Sequence, residues 1–480
     1  MNYGVVIKVL GNLLLFKAIA FVLPLYIAIL DKSHDRLAFI YSILIVLAVG
    51  IPMSRFPKKN NRIRAKDALT IVTFGWILVS VFGSIPFILS GSIPSFIDAF
   101  FETVSGLTTT GATIIDDIEV LPRGILFWRS FTHWLGGMGI LVLTLAIFPT
   151  IGVGGFQIFK AESPGPISDK LVPRVKDTAT ILYTAYLGIT ILQVVLLYFG
   201  GMSLYESLIH TFGTVGTGGF STRNASVGAF NSSYITYVIA IFMIASGVNF
   251  GLYYELYKGR WRKVVVNSEF KLYIAIVLIS ILLITINMSG SIYNSFSETF
   301  EHSLFQVASI TTTTGYTTAN YDEWTNFSKG ILFFLMFVGG SAGSTAGSIK
   351  VIRLLILVKL VKRETLKLLH PKAYIPVTLN DKMITSDVIA SVISFFFLYL
   401  VIFAVGTLVI SLEDIGLISS MSAVAATLGN IGPGFGFVGP THTYSQFTGA
   451  SKMFFSLLML FGRLELFTMI IFLVPGFWKD

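Results

Sequence analysis

Four short stretches of this chain place a small residue and then glycine at the end of a brief apolar run. They are Thr108-Thr109-Thr110-Gly111-Ala112, Thr217-Gly218-Gly219-Phe220, Thr313-Thr314-Gly315-Tyr316 and Gly429-Asn430-Ile431-Gly432-Pro433. Their last glycines stand 108, 96 and 117 residues apart, a spacing that suggests one unit repeated four times. The chemistry open to such a set is cation coordination by backbone. Glycine accepts the angles that turn carbonyl oxygens toward a common axis. Rings of neutral carbonyl dipoles can replace the water around a potassium ion and still release it, where carboxylates would bind too tightly. Thr109, Thr110, Thr217, Thr313 and Thr314 would add hydroxyls at the inner end. The plain alternative is four ordinary turns in external loops. Against it, each stretch follows a short apolar run at the same place in its unit.

The elements that must position these stretches are membrane helices. Of 480 residues, 54% are hydrophobic, 14% aromatic and only 12% charged, against about 25% charged in soluble domains. This is an all-α, multi-pass integral membrane protein. Cysteine is absent, so neither a disulfide framework nor a thiolate metal site is available. The net charge of +9 marks cytoplasmic loops of a membrane protein rather than a nucleic-acid partner. The six histidines are scattered and no nucleophile stands with a base in the apolar runs, which argues against an intramembrane enzyme. The first apolar run lacks a small-residue cleavage site, so it is expected to be retained as a span.

A span needs about 20 mostly apolar residues. Such runs fall near 9–30, 38–54, 69–90, 126–149, 178–200, 234–257, 270–288, 329–362, 384–411 and 450–474. Four shorter runs, 94–108, 203–215, 296–311 and 416–428, lie between pairs of spans and end in the glycine stretches. They read as re-entrant pore helices, each followed by an extended filter strand. The predicted fold is a module of span, pore helix and span repeated four times, at 68–150, 178–258, 270–362 and 384–474, beside an N-terminal hairpin at 1–60. Two crossings per module make the modules parallel, with pseudo-fourfold symmetry about a central pore; inverted repeats would suit a rocking transporter. The segments joining modules, 54–67, 159–177, 258–271 and 350–382, hold 23 Lys/Arg against 7 Asp/Glu, and those within modules, 91–125, 201–233, 289–329 and 411–449, hold 12 Asp/Glu against 3 Lys/Arg. The positive-inside rule then puts both termini in the cytoplasm and the filters outward. Acidic residues near the pore-helix starts, Asp98, Glu102, Glu206, Glu298, Glu301, Glu413 and Asp414, read equally as a cation-gathering vestibule or as favourable charge at helix N-termini.

Two features obstruct the path below the filters. The eighth run turns into Gly339-Gly340-Ser341-Ala342-Gly343-Ser344-Thr345-Ala346-Gly347-Ser348, which cannot hold a straight helix. It reads as a flexible intramembrane gate, with tight small-residue helix packing as the alternative. A phosphate-binding loop is a weak reading, because the Gly-Lys-Ser/Thr ending is missing. The other obstacle is Arg463, in the middle of the last span. An intramembrane arginine costs at least about 2.5–3.5 kcal/mol on insertion scales, so it must face the bundle interior. A fixed positive charge under a cation filter would limit leak; an ion pair within the bundle is the alternative.

The segments 105–113, Trp134-Leu135-Gly136-Gly137-Met138-Gly139, 218–222, 343–347, Gly432-Pro433-Gly434 and Phe461-Gly462-Arg463-Leu464-Glu465 together resemble the TrkH/KtrB family of potassium transporters over nearly the full length, including the extra N-terminal hairpin. The resemblance implies a potassium-conducting subunit in a plasma (inner) membrane with filter glycines Gly111, Gly219, Gly315 and Gly432. It implies a constriction formed by the glycine-rich break and Arg463. It implies no organic cofactor, a homodimer, and control by TrkA-like cytoplasmic nucleotide-binding subunits. The basic segment 350–382 is a plausible docking surface for them or simply a lipid-facing loop. All four filter positions are Gly, the potassium-selective pattern, whereas Asn430 and Ile431 depart from the Thr pattern. A less selective sodium/potassium pathway and a proton- or sodium-coupled symporter stay open.

Overall fold

The computed structural model describes residues 1–57, 63–139, 175–380 and 382–479. Among them, six helices are long and apolar enough to cross a bilayer: Tyr3–Leu30, Asp35–Ser54, Ala65–Leu89, Thr178–Phe199, Ser268–Met288 and Ser386–Glu413. The first two form the N-terminal hairpin. They meet where Gly11 lies under the Met53–Ser54 backbone and where a Cβ on Gly50 would stand 3.1 Å from Leu14 Cβ, close packing of the kind small residues permit in a membrane. The predicted span 126–149 is described only as Arg123–Gly137, with Met138 and Gly139 beyond it; its remainder, and the linker that follows to residue 174, lie outside the described residues.

Three expected spans are not continuous. The run 234–257 divides into Ser233–Ser246 and Phe250–Tyr257, bent by 94°. Asn249 starts the second piece by accepting the Gly251 N–H at 2.8 Å, and the freed Gly247 carbonyl accepts the Ser341 N–H at 2.8 Å. The run 450–474 breaks between Gly449–Leu464 and Leu466–Leu473, bent by 119°. The hinge is Glu465, at φ 62° and ψ 144°, a region almost confined to glycine and costing about 1–3 kcal/mol for other residues. The run 329–362 splits into Asn326–Leu335 and Val351–Leu369, with the small-residue stretch between them non-helical.

Between the spans lie four pore helices, Phe96–Leu107, Leu204–Val215, Phe296–Thr311 and Leu417–Leu428. A helix of 12 residues is about 18 Å long, too short to cross roughly 30 Å of hydrocarbon. Ser95 and Ser203 cap the first two by accepting the Asp98 and Glu206 N–H groups at 3.4 and 3.2 Å. The second span of each repeat lies beside the pore helix of the next: Arg123–Gly137 packs on the second pore helix, Ser233–Ser246 on the third, and Gly449–Leu464 on the first, closing the ring. The remaining pair, Asn326–Leu335 and the fourth pore helix, does not approach as closely.

Candidate ion pathway

Each pore helix ends in the same hydrogen-bonded turn. In the first, the Thr109 N–H donates to Gly106 O at 3.2 Å and the Thr110 N–H to Ser105 O at 2.8 Å. Thr217 and Gly218, Thr313 and Thr314, and Asn430 and Ile431 repeat the pair, with the second bond at 2.7, 2.8 and 2.8 Å. This is a Schellman motif, which needs a left-handed residue after the helix. Glycine usually occupies that position. Here it is Thr109, Thr217 and Thr313 at φ 56° and Asn430 at φ 54°, each strained by about 1–2 kcal/mol. Two residues later the predicted filter glycines are left-handed again, Gly111 at 82°, Gly219 at 81°, Gly315 at 82° and Gly432 at 98°.

The four glycines face one another around a ring. A Cβ on Gly111 would strike Gly218 O; on Gly219, Thr314 O; on Gly315, Ile431 O; and on Gly432 it would lie 2.6 Å from Thr110 O. First touches second, second third, third fourth, and fourth first. The Gly111 Cβ would also stand 3.7 Å from Thr314 O, across the ring. The carbonyls of Thr110, Gly218, Thr314 and Ile431 therefore converge on a shared axis. Such a ring can supply neutral oxygens to a dehydrated monovalent cation, and the pore-helix C-termini behind it add partial negative charge.

The aromatic residues after the glycines brace the ring from behind. Phe220 and Tyr316 are buried. The Tyr316 hydroxyl donates to Phe220 O at 3.0 Å, and Tyr316 O accepts from Ser309 Oγ at 2.6 Å. The Phe220 N–H donates to His133 Nε2 at 3.2 Å, so the imidazole proton sits on Nδ1 and is donated to Gly106 O at 2.8 Å. One imidazole thus ties the first pore helix to the second filter strand. Arg129 does the same with charge. It is buried, donates from Nε to Glu102 Oε1 at 2.5 Å, lies 3.5 Å over the Phe220 ring and reaches Ser221 O at 3.3 Å. Glu102 also accepts the Ile114 N–H and Thr113 hydroxyl at 3.0 Å each. Glu102 is therefore an internal strut and not part of an open vestibule. Asp98 and Glu206 are likewise engaged, with Lys452 and Arg223, at 2.7 Å each. A charged residue nine positions before a filter glycine, deep in an apolar pore helix, was the sequence signal for this strut.

Removing one member of a buried ion pair costs about 3–5 kcal/mol, because the other charge stays buried. Arg129→Ala is expected to lower thermal stability in detergent by an amount of that order, and Glu102→Gln by less, since the amide oxygen can still accept from Arg129 Nε and the Thr113 hydroxyl. Equal and small shifts for both in a thermal-unfolding assay would contradict this assignment.

Beneath the ring, all the small residues of the predicted gate lie in one non-helical loop anchored on four sides. Gly339 N–H donates to Ile349 O at 3.0 Å, and Gly340 O accepts from Val351 N–H at 3.1 Å. Ser341 holds the Gly247 bend; Ala342 N–H donates to Glu269 Oε1 at 2.7 Å; Gly343 O accepts the Phe250 N–H at 3.0 Å. Ser344 closes a turn on Ser341 O, and Thr345 Oγ1 reaches Ser246 O at 3.2 Å. Lys350 Nζ donates to Ala346 O. The Gly347 N–H donates to Thr313 Oγ1 at 2.7 Å, and a Cβ there would lie 2.5 Å from Gly429 O. The loop thus touches the third and fourth filter turns from below.

Arg463 holds the loop from the other side. Its guanidinium donates to Thr345 O at 2.8 Å, Thr109 Oγ1 at 3.3 Å, Gly137 O at 2.6 Å and Gly136 O. It links the loop, the first filter turn and the end of helix Arg123–Gly137. Glu465 meets Arg353 instead, at 2.5 Å, which tethers the helix after the loop to the hinge of the last span. Among the described residues no cluster of three or more His, Asp or Glu side chains is placed to hold a metal.

The chain matches the TrkH family, described as cation transport protein, over residues 34–479. It is 37% identical to the Trk system potassium uptake protein TrkH of Salmonella typhimurium over the whole of both chains. It is 34% identical to the Trk system potassium uptake protein TrkG of Escherichia coli over 99% of each. The crystal structure of the potassium transporter TrkH from Vibrio parahaemolyticus superposes with a TM-score of 0.89 at 34% identity, covering both chains fully.

Proposed function

The chain belongs to the TrkH family of cation transport proteins, and on that premise we propose that it carries potassium through the membrane along the axis of its four filter turns. The relatives are potassium uptake proteins, and potassium is the transported substrate here, with no organic cofactor in the chain. The reciprocal ring of glycines and carbonyls carries this reading. Thr109, Thr110, Gly111, Thr217, Gly218, Gly219, Thr313, Thr314, Gly315, Asn430, Ile431 and Gly432 form the filter, and Phe220 and Tyr316 its rear wall. Asn430 Nδ2 donates to Thr110 Oγ1 at 3.0 Å and Met459 O at 2.9 Å, so the fourth quarter replaces a threonine hydroxyl with an amide and makes the inner end asymmetric. The site lies in an inner membrane, with the filters outward and both termini cytoplasmic, as the charge distribution favours. The protein works as a homodimer under control of TrkA-like cytoplasmic nucleotide-binding subunits, for which the basic segment 350–382 offers a docking surface.

The test is rubidium flux into proteoliposomes, with potassium, sodium and lithium as competitors, with and without the cytoplasmic partner. Potassium should compete far better than sodium, and the partner should change the rate. Equal competition would sink the filter assignment. The gate is tested separately by deleting residues 342–345. Those residues hold the Phe250, Glu269 and Arg463 contacts, so basal flux without partner is expected to rise at least several-fold. An unchanged or lower rate in folded protein would mean that the loop does not block the path.

A further inference from the structure

The repeat symmetry fails at one interface, and the failure leaves a cavity. Helices Arg123–Gly137, Ser233–Ser246, Asn326–Leu335 and Gly449–Leu464 begin at equivalent points of their repeats. Their fifth residues are Phe127, Tyr237, Gly330 and Met453. Three are large. The other, Gly330 of the third repeat, has nothing within 4 Å of where its Cβ would be. On the facing pore helix, Tyr205 of the first interface, whose ring stacks under Arg123 at 4.2 Å, is replaced by Ile418 in the corresponding place. Phe127 packs on Phe212 at 5.7 Å in the first interface; at the equivalent of Phe212 the fourth pore helix has Ala425. Ile97 and Ala308 hold the Tyr205 and Phe212 places at two other interfaces, so what sets this interface apart is the missing side chain of Gly330. The result is a cavity of about 760 Å³ between Asn326–Leu335 and the fourth pore helix, within the range of roughly 300–1,000 Å³ that holds a small ligand.

The cavity has two ends of different chemistry. Phe333, Ile418, Met421 and Phe435 line the apolar end, and Phe334 and Ile418 beside it are 73% and 72% exposed, as residues facing acyl chains are. The other end holds Asp322 and Lys329. Lys329 Nζ donates one bond, to Asp322 O at 3.1 Å, and an ammonium has three to give. The Asp322 carboxylate accepts the Gly436 N–H at 3.1 and 3.2 Å and keeps further lone pairs free of that bond. A cation and an anion side by side at the mouth of an apolar slot complement a zwitterion with a hydrocarbon tail.

We propose that this cavity binds a zwitterionic phospholipid of the phosphatidylethanolamine class. The phosphate lies on Lys329, the ammonium on Asp322, and one acyl chain runs past Gly330 between the two helices. The site borders the ion path. Thr441 and His442 line both this cavity and the mouth above the filter, and Asp322 pins the loop that follows the fourth filter glycine through Gly436.

The test is native mass spectrometry on the delipidated full-length protein, titrated with dioleoylphosphatidylethanolamine or dioleoylphosphatidylglycerol. One ethanolamine lipid should be retained at lower concentration than the glycerol lipid. Gly330→Phe, which restores the residue type of the first repeat, should abolish that retention. Met453→Phe, at the equivalent place of the fourth repeat, should leave it intact. Lys329→Gln and Asp322→Asn should each weaken it about tenfold, the size expected for losing one charge-assisted contact. The rim variants keep the test decisive if Gly330→Phe does not fold. Equal retention of the two lipids, preference for the glycerol lipid, or binding unaffected by both Gly330→Phe and Lys329→Gln would each overturn the assignment.

Discussion

Gly315→Ser is expected to cost the protein most of its preference for potassium over sodium while leaving it folded. The glycine sits at φ 82°, where an L side chain is strained by about 1–2 kcal/mol. Its Cβ would collide with Ile431 O of the next quarter and lie 2.9 Å from Pro433 Cδ. That oxygen is backbone on the ring, so the collision is relieved only by moving a proposed ion ligand. The displaced ligand, rather than the strain, sets the size of the effect: a potassium-to-sodium flux ratio lowered about tenfold corresponds to ~1.4 kcal/mol of lost discrimination. The control is Gly416→Ser. Gly416 has nearly the same angle, 85°, but nothing lies within 4 Å of its Cβ position. It carries the strain without touching the ring, so its flux ratio should match wild type. If Gly315→Ser kept the wild-type ratio, or both variants lost it alike, the ring would not be the selective element.

This contrast also shows how far the sequence could be read. The four glycine stretches were visible because glycine is the residue that left-handed backbone demands, and their shared place after short apolar runs exposed the repeat. The second left-handed position was invisible, because Thr109, Thr217, Thr313 and Asn430 occupy it against their own preference. The repeated pair of hydrogen bonds closing each pore helix holds them there. The bend at Gly247 was hidden for a related reason. A Ser-Gly pair inside an apolar run is compatible with a straight helix, and the break depends on Ser341, nearly a hundred residues away, taking up the freed carbonyl. Glu465 gave no sign of its hinge angle. Its partner Arg353 lies on the helix beyond the gate loop, and a pair of that separation leaves no periodicity along the chain. The small-residue stretch 339–348 was legible because its composition alone forbids a long helix, but the four walls it is tied to were not.

Arg463→Ala is expected to raise basal rubidium flux in the absence of any partner. Two consequences of the arginine are removed together. One is charge: at an effective dielectric of about 20, a fixed positive charge opposes a monovalent cation by about 4 kcal/mol at about 4 Å and by less farther away, still tenfold or more in rate for any opposition above ~1.4 kcal/mol. The other is closure, since the same guanidinium fastens Thr345 of the loop to Gly137 and Thr109. Arg463→Lys separates them. A lysine keeps the charge but presents a single ammonium in place of the planar fork, so it cannot hold carbonyls on both sides of the path at once. If charge dominates, the lysine variant stays as tight as wild type and only alanine leaks; if closure dominates, both leak alike. An alanine variant that folds, inserts and conducts no faster than wild type would place Arg463 outside the barrier and return it to the role of an internal brace. The geometry favours the barrier: the carbonyls of Thr345, Gly136 and Gly137, left without this donor just below the filter, become oxygens that a descending cation can use.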